Sequence, residues 1–232
     1  MSDQLPLPPK KDPQKRTVTP VLPPMARSRA ALGLGVMAAQ GRFGLQVCAE
    51  CNAVQYPPRD ACLKCLSSDL PWTDVDPSGT VLAETTIRVS PEPYFRERMP
   101  WRMGSVKLGV GPTLNCHLHG EVGRGDAVHM TLKLDKAGQG VLIALPLEGS
   151  ETMQDDPMLR AMSCDPKRRR ILISDARAPM ALALCKALLQ AGASHVFLGE
   201  PEAWRFWPER AAFEGMENVS LMPLDVTDVS SI

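Results

Sequence analysis

Four cysteines in two pairs, Cys48-Ala-Glu-Cys51 and Cys62-Leu-Lys-Cys65, constrain this chain more than any other feature. A tight turn in each C-x-x-C lets two thiolates converge on one ion, and two such turns complete a tetrahedral shell. A full shell of thiolates leaves no position for water. The spacing therefore predicts a structural Zn²⁺ held by Cys48, Cys51, Cys62 and Cys65. Iron in a rubredoxin-like site uses the same ligands and stays open on spacing alone. A redox dithiol would need one pair beside a β-α-β unit, whereas here two pairs stand beside none. Four thiolates on Zn²⁺ carry a net charge of about −2, and Arg42, Arg59 and Lys64 are near enough in sequence to offset it. Cys116, Cys164 and Cys185 read as small buried apolar residues.

Composition narrows the function classes. The 232 residues suit one or two domains, and 44% apolar with 22% charged residues is enough for a core. Basic and acidic side chains balance at 26 each, which argues against nucleic acid as a partner, because affinity for polyanions comes from excess Lys and Arg. No run of about 18 apolar residues exists to span a membrane. The first 24 residues hold seven prolines and no apolar signal core, so a cytoplasmic location is expected.

The chain reads as a multi-domain α+β protein. Residues 1–24 form a proline-rich, extended arm. Residues 25–47 open with an Ala- and Leu-rich stretch suited to one or two short helices closed by Gly41. The four-cysteine ribbon occupies 48–76. From 77 to 147 the pattern turns to period-two strands: GTVLAETTIRVS, MGSVKLGV, TLNCHLHG, AVHMTLKLD and GVLIALPL. Five such strands separated by Gly and Pro turns predict a small barrel. His117 and His119 share a strand face without a third ligand and read as ordinary strand residues. Residues 148–169 are polar, broken by two prolines, and read as a linker. In 170–232, RILIS, MALALCKALLQAG with a Gly192 cap, and HVFLGE make a β-α-β unit. EAWRFWPERAAF suggests a second helix interrupted by Pro208, and VSLMPLDV a third strand.

The stretch LQVCAECNAVQYPPRDACLKCLSSDLPWTDVDPSGTVLAETTI resembles a zinc-ribbon and OB-fold protein family long filed as a domain of unknown function. Pro57-Pro58-Arg59 before the second knuckle and Gly79-Thr80-Val81 at the barrel entry match its motifs. So do Pro93-Tyr94-Phe95 in a long loop, the Gly109–Pro112 turn and Gly125-Asp126. The resemblance covers about residues 25–147 and implies a rubredoxin-like ribbon followed by a five-stranded OB-like barrel. It also implies an accessory subunit without catalytic residues, forming a heteromer with a thiolase-like or acyl-CoA synthase partner and shaping its acyl-CoA site in lipid or aromatic degradation. Asn52 stands where that family usually has glycine, and asparagine tolerates the left-handed backbone a knuckle needs. An OB-fold nucleic-acid binder is the competing reading. Its aromatics, Tyr94, Phe95 and Trp101, are confined to one loop, which favours a protein or acyl-chain contact over base stacking.

The segment RILISDARAPMALALCKALLQAGASHVFLGEPE, with LDVTD further on, resembles the opening of the short-chain dehydrogenase/reductase fold. That resemblance implies a partial Rossmann-like segment, with Asp225 at the adenine-contacting position and NAD(P) as cofactor. The fingerprint is degenerate: Asp175, Pro179 and Ala181 stand where three glycines would let backbone approach a pyrophosphate. Asp175 adds negative charge there and Pro179 removes an amide donor. The family's serine, tyrosine and lysine do not appear, so the segment is expected to be a pseudo-domain or the N-terminal part of a fusion to an NAD(P)-dependent dehydrogenase acting on a hydroxyacyl-CoA. The run Lys167-Arg168-Arg169-Arg170 reads as a solvated approach to the first strand.

Overall fold

A computed structural model of the chain describes residues 21–25, 28–148 and 153–231. Residues 1–20 of the proline-rich arm therefore lie outside the described residues. The chain divides into two compact units, Met1–Ser163 and Cys164–Ile232. Among the described residues no helix is long and apolar enough to cross a membrane.

The first unit starts with a 3₁₀ turn, Arg29–Ala31, capped by the Ser28 hydroxyl, and helix α1, Leu32–Ala39. Gly41 ends α1 in the left-handed region at φ +68°. The Arg42 amide donates to Met37 O at 3.0 Å and the Gly41 amide to Ala38 O at 3.0 Å. This paired capping pattern satisfies carbonyls that a helix end leaves open. Strands β1 (Gly44–Val47), β2 (Val54–Gln55) and β3 (Trp72–Asp74) form an antiparallel sheet in the order β2-β1-β3.

Strand β4 (Ser78–Ile87), helix α2 (Pro93–Arg96) and strands β5 (Trp101–Leu108), β6 (Thr113–Leu118), β7 (Ala127–Leu134) and β8 (Gly140–Pro146) follow. The five strands close into a barrel in the order β4-β5-β6-β8-β7. Long β4 closes it by pairing with β5 along its length and with β7 through Ser78–Thr80, bending at an irregularity between Val81 and Ala83. Val81, Val106, Leu114, Leu118, Met130 and Ala144 are among the residues that fill the interior. Helix α1 lies against this barrel at backbone distance. A Cβ on Gly140 would stand 2.7 Å from the Leu34 carbonyl carbon and 2.9 Å from the Gly35 nitrogen. Only glycine permits that approach.

Strand β8 reads as an unbroken apolar run because both of its faces are buried. Leu142 and Ala144 face the barrel core, while Ile143 and Leu145 join an outer cluster with Tyr94, Trp101, Met153, Leu159 and Met162. The last two come from helix α3, Pro157–Met162, inside the stretch expected to be a linker. Residues 153–163 are therefore not a linker but part of the first unit, packed on the outer face of β8. Asp156 caps α3 by accepting from the Leu159 amide at 3.0 Å, with Pro157 in the first turn, and it also accepts from the Gly120 amide at 3.0 Å.

The second unit has strands β9 (Arg170–Ile173), β10 (His195–Glu200) and β11 (Val219–Pro223), all parallel, in the order β11-β10-β9, with helix α4 (Ala181–Gln190) between the first two. Gly192, at φ +89°, ends α4 as expected; its amide donates to Leu189 O at 2.9 Å and that of Ala193 to Leu188 O at 3.0 Å. Ala181, Cys185, Val196, Leu198, Trp207 and Phe213 form the core. The helix expected around Pro208 is instead a 3₁₀ segment, Pro208–Ala212. Trp207 is extended at φ −144°, as the steric demand of the following proline requires. Glu200 is buried beneath this segment and accepts from Trp207 Nε1 at 3.1 Å and Arg210 Nε at 2.9 Å. Buried Cys116 and Cys185 fit their expected role, but Cys164 is exposed, because it follows the last residue of the first unit rather than entering a core.

Burial holds the His117 imidazole, on β6, down at about 4 against an ordinary 6.5, with the Asp156 charge opposing the shift. An unfolded chain takes up a proton at this residue below pH 6.5 that the native chain refuses. Stability should therefore fall as pH drops from 6.5 toward 4, by about 2 kcal/mol at pH 5. Urea unfolding at pH 7 and pH 5 checks this. His117→Phe should show a pH loss smaller by that amount, and an equal loss in both proteins would contradict the assignment.

Candidate metal centre and its surroundings

The two knuckles are built alike. The Asn52 amide donates to Cys48 O at 2.9 Å and the Leu66 amide to Cys62 O at 3.1 Å. Both residues are left-handed, at φ +55° and +63°. Asparagine adopts this region readily, while leucine carries a local penalty of about 1–2 kcal/mol that the closed knuckle must offset.

The turns bring Cys48, Cys51, Cys62 and Cys65 together, with all four Sγ atoms within 4.8 Å of one another. Cys48 and Cys65 sulfurs are 3.4 Å apart and those of Cys51 and Cys62 3.6 Å. A tetrahedral ion with bonds of about 2.3 Å needs sulfur separations of about 3.8 Å, so the four fit zinc. The amides of Cys65 and Lys64 draw the Cys62 thiol down to about 6. Backbone dipoles thus favour the thiolate that a metal binds. Of the cations expected to offset the charge, Arg42 is instead forked onto Asp74 at 2.9 and 3.1 Å. Lys64 contributes through its main chain, whose N–H lies 3.4 Å from Cys62 Sγ.

Two buried glutamines hold the loop between the knuckles, and sequence reasoning missed them. Gln46 accepts from the Arg59 amide at 2.8 Å and donates to Arg59 O at 2.9 Å. Gln55 accepts from the Leu63 amide at 3.1 Å and donates to Gln46 Oε1 at 3.2 Å. The pairing Gln46↔Gln55 across β1 and β2 sets this up, and only strand register reveals it.

The two barrel histidines separate in role. His119 accepts from the Glu121 amide at 3.3 Å and places Nε2 3.2 Å from Asp155 Oδ1. His117 stacks on Phe95 and meets Trp101 edge-on, with ring centroids 6.4 and 5.4 Å away. Tyr94 and Trp101 are buried in the same cluster rather than displayed for stacking on a ligand strand.

In the second unit, Asp175 occupies the turn after β9 and its carboxylate accepts from the Arg177 amide at 2.9 Å. The Ala176 amide donates to Gly199 O at 2.8 Å. Asp225 accepts from the Thr227 amide at 2.9 Å and from its hydroxyl at 2.6 Å, which holds its carboxyl below the usual range. His195 Nε2 and Ser220 Oγ pair at 2.9 Å across β10 and β11. No carboxylate hydrogen-bonds that imidazole among the described residues, so the orienting third member of a nucleophilic triad is missing there.

Comparison with known proteins adds two domain matches. Residues 37–71 match the family described as "ChsH2, rubredoxin-like zinc ribbon domain", and residues 72–133 match "ChsH2, C-terminal OB-fold domain". No curated protein matches the chain. A solved structure titled "Ltp2-ChsH2(DUF35) aldolase" is 25% identical and covers 52% of this chain and 97% of its own, with a TM-score of 0.45. A protein of unknown function from the DUF35 family of Sulfolobus solfataricus is 17% identical and covers 50% and 84%, with a TM-score of 0.36. Residues 37–133, which hold the four-cysteine ribbon and most of the closed barrel, are thus similar to the rubredoxin-like zinc ribbon and OB-fold domains of ChsH2.

Proposed function

We propose that this chain is a non-catalytic accessory subunit that binds a thiolase-like acyl-CoA enzyme in the cytoplasm through its ribbon and barrel and helps form the acyl-CoA site there. One observation carries the reading: the second knuckle presents Leu63 and Leu66, 56% and 79% exposed, on a turn whose sulfurs converge on one point. Apolar side chains displayed on a rigid element are what partner surfaces use. Cys48, Cys51, Cys62 and Cys65 would hold a structural Zn²⁺, which supplies a cross-link and no open coordination position. The other buried thiols are poor nucleophiles, since burial pushes Cys116 up to about 12 and raises Cys185. The resemblance of residues 25–147 to the ribbon-barrel family supports the thiolase-like identity of the partner.

A second reading, an NAD(P)-linked reductase module on a hydroxyacyl-CoA, draws on the parallel β9-β10-β11 sheet with α4 as crossover. Against it stand the turn amides of Ala176 and Arg177, which already have protein acceptors, and Asp225, which is closed onto Thr227.

Elemental analysis should find about one zinc per chain. Cys62→Ser should lose the metal and at least about 2 kcal/mol of first-unit stability, whereas iron or full stability would count against structural zinc. Co-expressed with candidate thiolase-like enzymes, the tagged chain should co-purify with one of them. A Leu63→Asp/Leu66→Asp variant should keep its zinc and bind that enzyme at least about tenfold more weakly. A chain that stays monomeric and leaves thiolase activity unchanged would sink the proposal. Isothermal titration with NADH and NADPH tests the second reading, and the absence of heat with both removes it.

A further inference from the structure

The three parallel strands of the second unit have one covered face and one bare face. Ile171, Val196, Leu198 and Leu221 point into the core that α4, Trp207 and Phe213 complete. Side chains alternate along a strand, so Arg170 and Leu172 of β9, Phe197 of β10 and Met222 of β11 point the other way. The register sets Leu172 beside Phe197, Arg170 beside His195 one row earlier, and Met222 beside Gly199 one row later. None of Leu172, Phe197 and Met222 belongs to the core cluster, and Leu172 and Met222 are 55% and 39% exposed.

The polar groups on this face differ in what they lack. His195 is engaged within the sheet, with Nε2 on Ser220 Oγ at 2.9 Å and its ring 4.5 Å from that of Phe197. The Arg170 guanidinium is exposed and has no hydrogen bond or ion pair among the described residues.

An antiparallel sheet can leave one face to water, but parallel sheets are found with helices on both faces. The dimensions of this face suit one helix. Three strands span about 10 Å between the outer two, and strands of this length run about 13–20 Å. A helix is about 10–12 Å across with its side chains, and about 12 residues of it cover about 18 Å. A second copy stacked on this face alone would bury well under the roughly 1,200 Å² of a stable interface, whereas a helix supplied by a larger partner need only fill the face. Charge orients it. The crossover helix α4 runs back against its strands, and a helix in the same sense on the bare face brings its C-terminal end to the start of β9, over Arg170. The carbonyls at that end carry the negative pole of the helix dipole, and a carboxylate there would pair with the guanidinium.

We propose that the bare face of β9, β10 and β11 is a docking site for one amphipathic helix of a partner protein, with its apolar stripe on Leu172, Phe197 and Met222 and an acidic last turn over Arg170. The face is formed by the second unit alone and does not rest on the thiolase-like reading.

The probes are two labelled peptides of about 15 residues with the same leucine stripe, one with two Glu and one with two Lys in the last turn, titrated into the zinc-loaded full chain and followed by fluorescence anisotropy. The Glu-ended peptide should bind saturably and about fivefold or more tightly than the Lys-ended one. Helicity cannot produce that order, because acidic charge at a C-terminus opposes the dipole and makes the Glu-ended peptide the less helical of the two. Arg170→Glu should reverse the preference. Leu172→Glu and Met222→Glu, both at exposed positions, should each weaken both peptides by about tenfold or more. A native chain that binds neither peptide, or both equally, would overturn the site, as would Leu172→Glu and Met222→Glu variants that bind like the native chain. A concentration-dependent dimer that the peptides displace would overturn it too, by making the face an interface between copies of this chain.

Discussion

The convergence of four sulfurs is the contact on which the ribbon depends. Between β1 and β3 the fully buried apolar residues described are Cys48, Ala53 and Cys62, with Leu70 packed against them. So few apolar groups cannot hold a loop that long against its conformational entropy. Two elements compensate: the metal cross-link that the sulfurs are placed to make, and the Gln46–Gln55 pair that ties the loop's main chain to the sheet. The left-handed Leu66 fits the same logic, because a residue held in a costly conformation persists only where its surroundings leave no alternative.

The ribbon reaches the barrel through α1. Glycines on both sides bring backbone against backbone at Gly140, and a Cβ on Gly33 would fall 2.0 Å from the Trp72 ring. This close packing joins the helix, the sheet of the ribbon and the barrel into one core that runs from Leu34 and Leu45 to Ala144. The knuckle leucines are therefore presented from a stiff base. The outer cluster of Tyr94, Trp101 and α3 covers the opposite side of β8 and encloses His117.

Local signals were legible. The cysteine spacing anticipated the cluster, Gly41 and Gly192 anticipated two helix ends with identical hydrogen-bond patterns, and short apolar-patterned runs between glycine and proline turns anticipated all five barrel strands. Asp156-Pro157 is also a local signal, a helix start that the polar composition around it obscured. The helix expected around Pro208 is a short 3₁₀ segment because the proline holds Trp207 in the extended region.

By itself, the sequence determined the four-cysteine cluster and the barrel-strand and helix-end positions, because each depends on residues close together in the chain. Tertiary structure alone decided which polar groups were satisfied. Gln46 finds Gln55 and Arg59, Glu200 finds Trp207 and Arg210, Asp225 closes on Thr227, and His117 finds aromatic rings and, among the described residues, no partner for Nδ1. Most of these outcomes depend on strand register and on which loop covers which face, and such contacts join residues whose separation in sequence carries no pattern.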